Sequence, residues 1–412
     1  MKNSRIIAFD IVQSIFKDNA YSNIAIEKSL TSVNDKDKGF VSRIVYGTIE
    51  RKLTLEYAVN LYLNSKTKNK VKMLLMIGAY QILFMDKVPD AVAIFETVAC
   101  TDELGISFYK KLVNAVLRKI SDNRENILNC EDLEIKHSCP KNLINMWNKM
   151  YGRDRTLSIL ECINDRPPVF AVPNTKFVDA QELQYELFDE GIDCEVYNEC
   201  VKINSPFDMK SLRSYDNGLF YIEDYSSYTA ACNLGVDEKD IVLDICAAPG
   251  AKSFTMAQNG AKIYSFDIHN HRVELIKKSA QRLELDNVFA DINDALVYNE
   301  NMPKADKILC DVPCSGFGII RRKPEIRYKN LDNIKELPPI QLKILQISSS
   351  YLKTGGKIMY STCTLNKKEN EKVVDAFLKE NNNFELEEQK TIFPSANSGD
   401  GFYYAILTKN ND

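Results

Sequence analysis

Eleven cysteines and three histidines carry most of the nucleophilic and metal-binding capacity of this 412-residue chain. The cysteines are scattered singly, with no Cys-x-x-Cys pair, and His137, His269 and His271 do not complete a zinc ligand set, so no structural metal is expected. An odd number of thiols in a chain without an export signal points to reduced, mostly buried cysteines, one or two of them reactive. Four short segments collect the remaining chemistry. Cys246-Ala247-Ala248-Pro249-Gly250-Ala251-Lys252 is a loop of small residues after an apolar run; Asp267 closes a second run; Asp311-Val-Pro-Cys314-Ser-Gly and Thr362-Cys363-Thr364 close two more. A small-residue loop lets backbone approach a ligand, and an acid at a strand end can accept both hydroxyls of a ribose, so the set suits a nucleoside. Neither Gly-x-x-x-x-Gly-Lys-Ser/Thr nor Gly-x-Gly-x-x-Gly is present, which favours S-adenosylmethionine over ATP or NAD. Two competing readings stand beside this one: Asp267 as a cap of the following helix, and both cysteines as inert core packing. Spacing does not choose between Cys314 and Cys363.

For these segments to meet, the runs before them must be strands of one sheet. Ile241–Cys246, Lys262–Asp267, Lys307–Cys310 and Lys357–Ser361 read as strands, with helices from about Lys252 and over Gln341–Tyr351. Such alternation predicts a parallel, doubly wound α/β sheet with its ligand at the carboxyl ends of the strands. Upstream, Ser4 to about Ser121 is helical: Ile7, Ile11 and Ile15 recur at i+4, and Val71, Leu74, Leu75, Gly78, Ile82 and Met85 follow the helical rule. Polar breaks at Ser32–Asp37 and Asn64–Asn69, and Val88-Pro89-Asp90, separate these helices. Further helix and linker lead to Pro167-Pro168. A mixed stretch follows, with a strand at Val169–Val172, a helix over Ala180–Glu190, two extended pieces within Cys194–Ile203, and an end near Glu223. The expected organisation is therefore multidomain: an all-α domain over 1–140, a linker and small α+β module over 141–225, and an α/β Rossmann-like domain over 226–412.

Length agrees, because 412 residues exceed the roughly 250–300 that one core usually serves. Ordinary hydrophobic (45%) and charged (27%) fractions argue against global disorder. No apolar run reaches the ~20 residues of a membrane span, and Met-Lys-Asn-Ser-Arg leads directly into an amphipathic pattern, so a cytoplasmic protein without membrane contact is expected. Residues 1–150 hold 22 Lys and Arg against 17 Asp and Glu on a chain of net charge −4. A basic N-terminal part is compatible with a nucleic-acid partner without establishing one.

Taken together, Asp244-Ile-Cys-Ala-Ala-Pro-Gly-Ala-Lys-Ser253, Asp311-Val-Pro-Cys-Ser-Gly316 and Ser361-Thr-Cys-Thr364 resemble the signature loops of the Nop/Sun family of RNA cytosine-C5 methyltransferases. Gly-Ala-Tyr-Gln at 78–81 and Val-Asn-Ala-Val-Leu-Arg at 113–118 resemble the NusB-like domain of its bacterial branch acting on small-subunit ribosomal RNA. The resemblance spans nearly the whole chain. It implies methyl transfer from S-adenosylmethionine to C5 of a cytosine in 16S rRNA, cytosine 967 in the usual small-subunit numbering. Cytosine C5 is a poor nucleophile until a thiolate adds to C6, and an ordinary thiol is only about 3% ionised at pH 7. By resemblance Cys363 is the nucleophile and Cys314 assists breakdown of the covalent adduct. The loop Cys246 to Lys252 would border the methionine and ribose, Asp267 would hold the ribose hydroxyls, and Asp294 would sit beside the adenine, with Asp291 a close alternative. Asp311 would lie between cofactor and base, where it could also bond the ring edge.

Some positions depart from the family pattern. Ala251 stands where a second Gly is usual, which would restrict the backbone if that residue needed a positive φ. Glu223 replaces a commoner Gln, and Ala171-Val-Pro-Asn174 lacks an Arg before the Asn. Arg321-Arg-Lys-Pro-Glu-Ile-Arg327 reads either as a solvated loop or as a phosphate clamp for RNA; its place just after Cys314 favours the clamp. The target base must be splayed out, so the substrate is a loop or an opened helix, in naked 16S rRNA or a partly assembled subunit. A monomer is expected. The rival functions are the same chemistry on tRNA and a non-catalytic RNA-binding assembly or antitermination factor built on the helical domain.

Overall fold

The computed structural model describes residues 3–18, 22–31, 33–63, 66–205, 207–395 and 398–410. Ser32, Asn64 and Ser65, within the polar breaks expected between helices, lie outside the described residues. The chain forms two compact units, one of residues 1–164 with 320–329, the other of 165–319 with 330–412. No helix among the described residues is long and apolar enough to cross a membrane.

The first unit is helical. Its centre is the helix Asn69–Phe84, buried continuously from Leu74 to Leu83 and therefore apolar on every side. Gly78 lets its neighbours close on it: a Cβ there would lie 2.9 Å from Leu117 and 3.0 Å from Thr97. Gln81 is buried as well, accepting from Arg5 Nε at 2.8 Å and donating to the Ile77 carbonyl at 3.0 Å. Gly78-Ala-Tyr-Gln81 is thus core architecture. The stretch after Ser121 holds four more helices, Arg124–Leu128, Leu133–His137, Lys141–Tyr151 and Arg153–Cys162.

Residues 320–329 complete this unit, and here the structure removes Arg327 from the expected phosphate clamp. Arg327 is 1% exposed. Its guanidinium donates to the carbonyls of Glu50 (3.1 Å), Ser138 (3.2 Å) and Ile163 (3.0 Å) and to Asn164 Oδ1 (2.9 Å). Tyr328 donates its hydroxyl to the Ile49 carbonyl at 2.9 Å, and Glu325 accepts from the Ser22 amide and hydroxyl. A guanidinium buried among carbonyls of its own unit is a structural staple, with both terminal nitrogens engaged and no face open to a phosphate.

The second unit contains two sheets. In the smaller, β1 (Val169–Pro173), β2 (Cys194–Tyr197), β3 (Cys200–Ile203) and β4 (Phe220–Glu223) run antiparallel in the order β2-β3-β1-β4. Asn174, just after β1, is buried and donates to the carbonyls of Gly218 (3.0 Å) and Leu283 (2.8 Å). Its side chain is therefore used for packing.

The larger sheet comprises β5 (Ile241–Asp244), β6 (Lys262–Asp267), β7 (Val288–Ile292), β8 (Ala305–Asp311), β9 (Leu352–Thr362), β10 (Phe384–Ile392) and β11 (Phe402–Lys409), in the order β10-β11-β9-β8-β5-β6-β7. From β9 to β7 all pairs are parallel, whereas β11 lies antiparallel between β9 and β10. The sheet is therefore mixed where a wholly parallel one was expected. Neighbouring residues of one strand enter opposite cores: Val242, Leu309 and Met359 pack on one face, Leu243, Ile308 and Ile358 on the other. Strand residues covered on both faces must be apolar, which is why Ile241–Leu243 of β5 and Ile308–Cys310 of β8 read as apolar runs.

Arg327→Ala should lower stability by about 3 kcal/mol or more, because it strands several buried carbonyls. Urea unfolding of the full chain checks this. Unchanged unfolding with weakened RNA binding would restore the clamp.

Candidate active site

The expected site segments share the carboxyl edge of the large sheet. Cys246 to Lys252 follow β5, Asp267 ends β6, Asp294 lies two residues past β7, Asp311 ends β8 and Cys363 follows β9. Gly250 takes the one strained turn, with φ at 109°, and Ala251 opens the helix Ala251–Ala257. The Ala at 251 therefore meets no backbone restriction. The Ala247 amide bonds the Phe266 carbonyl (2.8 Å) and the Asn293 amide bonds that of Asp267 (3.2 Å), tying the three loops together.

At the β6 end, Asp267 does not cap the helix Asn270–Arg282, whose N-cap residue is His269. Asp267 accepts from the His269 amide at 3.0 Å and pairs with Arg272 Nη1 at 3.0 Å. Arg272 Nη2 also donates to the Ala248 carbonyl at 2.9 Å, so it bridges the small-residue loop to the strand-end acid. Asp294 is half-buried and caps its own turn, accepting from the Leu296 amide at 2.9 Å.

Between β5 and β8 lies a charge cluster of two buried acids, Glu223 and Asp244, and the half-buried pair Lys252 and Asp311. Lys252 Nζ donates to Asp311 Oδ2 at 2.6 Å, and Ser361 of β9 donates to Asp311 Oδ1 at 3.1 Å. Burial opposes the lysine charge, but Asp311, Glu223 and Asp244 together outweigh it and raise its pKa. Glu223, buried at the end of β4, accepts from Thr255 (2.6 Å) and Ser227 (2.8 Å), and burial raises its pKa. Asp244 accepts from Ser253 through Oδ2 at 2.6 Å while its buried Oδ1 has no partner. Burial pushes its pKa up to about 7. An orphaned acceptor at the end of β5, where the small-residue loop begins, is where a cationic or N–H-bearing part of a nucleoside cofactor would fit.

The two thiols meet. Cys314 Sγ and Cys363 Sγ lie 3.2 Å apart, both half-buried. The hydrogen bond to Cys363 and burial, with further repulsion from Cys363, Glu369 and Asp311, push the Cys314 pKa well above its ordinary value. Either sulfur can donate in this contact, and the raised Cys314 pKa disfavours charge on that sulfur. By contrast Cys246 and Cys310 are pushed up mainly by burial and behave as packing. A Cβ at Gly318 would lie 1.9 Å from the Gly401 carbonyl oxygen, so only glycine there allows the Gly318 amide to reach the Cys363 carbonyl at 3.0 Å.

These loops and thiols lie within the match to the family model "16S rRNA methyltransferase RsmB/F", which covers residues 231–408; the NusB family model matches residues 2–122. A Bacillus subtilis protein described as probable ribosomal RNA small subunit methyltransferase B is 34% identical, over 92% of this chain and 89% of its own length. The chain belongs to the ribosomal RNA small subunit methyltransferase B family. Another such methyltransferase, from Proteus mirabilis, is 28% identical over 99% of both chains. The solved structure of PH0851 shares the fold at a TM-score of 0.80 over 99% of both chains, at 22% identity. As a methyltransferase of this family the protein uses S-adenosylmethionine, whose cationic amine suits the orphaned Asp244 oxygen.

Sequence reasoning assigned no role to Asp244, Arg272, Ser361 or Glu369. Asp244 carried the same signal as Asp267, an acid closing a strand; the other three are visible only through their contacts.

Because Asp244 binds its proton more tightly folded than unfolded, the stability it contributes is fullest below its ordinary pKa of 3.8 and is lost as pH rises through about 7. Asp244→Asn removes that fall. Its melting temperature relative to wild type should therefore rise between pH 5 and pH 8; a difference independent of pH would contradict the assignment.

Proposed function

We propose that this methyltransferase transfers a methyl group to C5 of a cytosine in 16S rRNA, cytosine 967, through a covalent bond between Cys363 and C6. The observation that carries the reading is the contact of two thiols at adjacent strand ends, Cys314 after β8 and Cys363 after β9. S-adenosylmethionine, when bound, supplies an electrophilic methyl on a sulfonium. The chain must supply a nucleophile, a proton acceptor and fixed charge.

Cys363 thiolate attacks C6, and the C5=C6 electron pair makes C5 nucleophilic enough to take the methyl. Asp311, oriented by Lys252 and Ser361, faces the ring edge and offsets charge there. Bonding to C6 removes the Cys363 charge, and with it the foremost influence that kept Cys314 protonated. Cys314 then loses its proton to water and takes the proton from C5. The double bond re-forms, the S–C6 bond breaks, and Cys363 leaves as thiolate. When the cofactor binds, loop 246–252 would border its methionine and ribose, Asp267 would hold the ribose hydroxyls in place of Arg272, and Asp294 would sit beside the adenine.

The helical domain over 1–140 and the module over 141–225 supply RNA binding in this reading, and the catalytic domain spans 226–412. The substrate is 16S rRNA, naked or in a partly assembled subunit, acted on by a cytoplasmic monomer. The Bacillus subtilis and Proteus mirabilis relatives carry names that specify small-subunit rRNA, which favours it over tRNA. Two thiols in contact have no use in a non-catalytic assembly factor.

Cys363→Ser should abolish methyl transfer to unmodified 16S rRNA while leaving RNA affinity unchanged. Cys314→Ala should accumulate a protein–RNA adduct on a denaturing gel. Bisulfite sequencing should show one protected cytosine; transfer to tRNA alone would move the substrate, and no transfer to any RNA would favour the assembly factor.

A further inference from the structure

A buried carboxylate outside the reacting set joins the two cysteine loops. Glu369 is 0% exposed, and the groups that donate to it are neutral. Through Oε2 it accepts from the Ser315 amide (2.8 Å) and Gln341 Nε2 (3.1 Å), and through Oε1 from Asn366 Nδ2 (2.7 Å) and the Ser315 hydroxyl. Ser315 is the residue after Cys314. Its hydroxyl also meets Thr364 Oγ1 at 2.7 Å, and Thr364 is the residue after Cys363. Gln341 donates to the carbonyl of Pro313, the residue before Cys314, at 2.9 Å. One side chain thus grips both flanks of Cys314 and, through a hydroxyl pair, the loop of Cys363.

We propose that Glu369 is the positioning residue of the two-thiol site, setting the place of the Cys314 sulfur against Cys363 by binding Ser315, Gln341 and, through Ser315, Thr364. The inference rests on the cytosine-C5 reading above. An uncompensated carboxylate is a costly way to brace a loop, since a glutamine could keep much of the geometry. What the charge adds is repulsion of a second charge on Cys314. The titratable groups facing that sulfur are Cys363, Glu369, Asp311 and Tyr360, and the charge of Asp311 is already paired with Lys252. Glu369 therefore disfavours early ionisation of Cys314 and strengthens it as a base once ionised.

The test is Glu369→Gln in the full chain, assayed with an unmodified 16S rRNA transcript and S-adenosylmethionine beside wild type and Cys314→Ala. The expected result is at least a tenfold loss of methyl transfer, with adduct accumulating as in Cys314→Ala. In a Cys363→Ser background, iodoacetamide labelling of Cys314 should have its midpoint about one pH unit lower with Gln at 369, a shift that loosened packing alone would not give. Wild-type transfer, no adduct and an unmoved midpoint would overturn the proposal. Should the Gln variant lose cooperative unfolding, Ser315→Ala tests the geometric half: adduct accumulation supports it and wild-type partitioning overturns it. If Cys314→Ala itself gives no adduct and wild type transfers nothing, the cytosine-C5 reading has failed; if those controls behave as expected, any failure belongs to Glu369.

Discussion

The site depends on one carboxylate that three neighbouring parallel strands must share. Asp311 closes β8 and receives Lys252 from the loop after β5 and Ser361 from β9. These strands are adjacent in the sheet, and their parallel order brings all three carboxyl ends to one edge. A half-buried lysine opposite a single acid would gain little after desolvation. Here Glu223 and Asp244 add to Asp311, so the cation is held firmly and the acids limit one another's ionisation. The ion pair thereby fixes the separation of the cofactor loop from the thiol-bearing loops, and a shift in any one strand end would be felt by the other two.

Beside that pair the two thiols meet. Two equivalent thiols at 3.2 Å would compete to ionise. Hydrogen bonding to Cys363, burial and surrounding acids disfavour charge on Cys314, which in the proposed reaction leaves attack to the loop after β9 and proton acceptance to the loop after β8. Asn370 braces the first of these loops, accepting from Thr362 at 2.6 Å and donating to the Thr364 carbonyl at 2.9 Å on either side of Cys363. The crossing of Gly318 and Gly401 braces it from beneath. Packing and polar contacts act together here, making two sulfurs from strands far apart in sequence behave as one unit.

Much of this was legible in the residues because strand-end loops announce themselves. Small residues after an apolar run, and acids or cysteines closing such runs, located four of the sheet's carboxyl ends, those of β5, β6, β8 and β9, without any contact information. The β10–β11 addition was harder to see, since most residues of Phe384–Ile392 face solvent and lack a clean alternation. Arg327 misled for a physical reason: a basic cluster is normally solvated, and only carbonyls more than 150 residues away make its burial tolerable. Glu369 sits in Lys-Lys-Glu-Asn-Glu, a run that reads as an exposed helix start; its burial follows from Ser315 and Gln341, which no local pattern connects to it.

The central claim is that Cys363 bonds to the cytosine ring. A small-subunit RNA transcript carrying 5-fluorocytosine at the target, incubated with enzyme and S-adenosylmethionine, tests it directly, because fluorine at C5 leaves no proton to remove and arrests the reaction at the covalent stage. Digestion and mass spectrometry should find the nucleotide on the peptide containing Cys363, with Cys314 free. A nucleotide attached to Cys314, or methylated RNA released with no protein attached, would contradict the account.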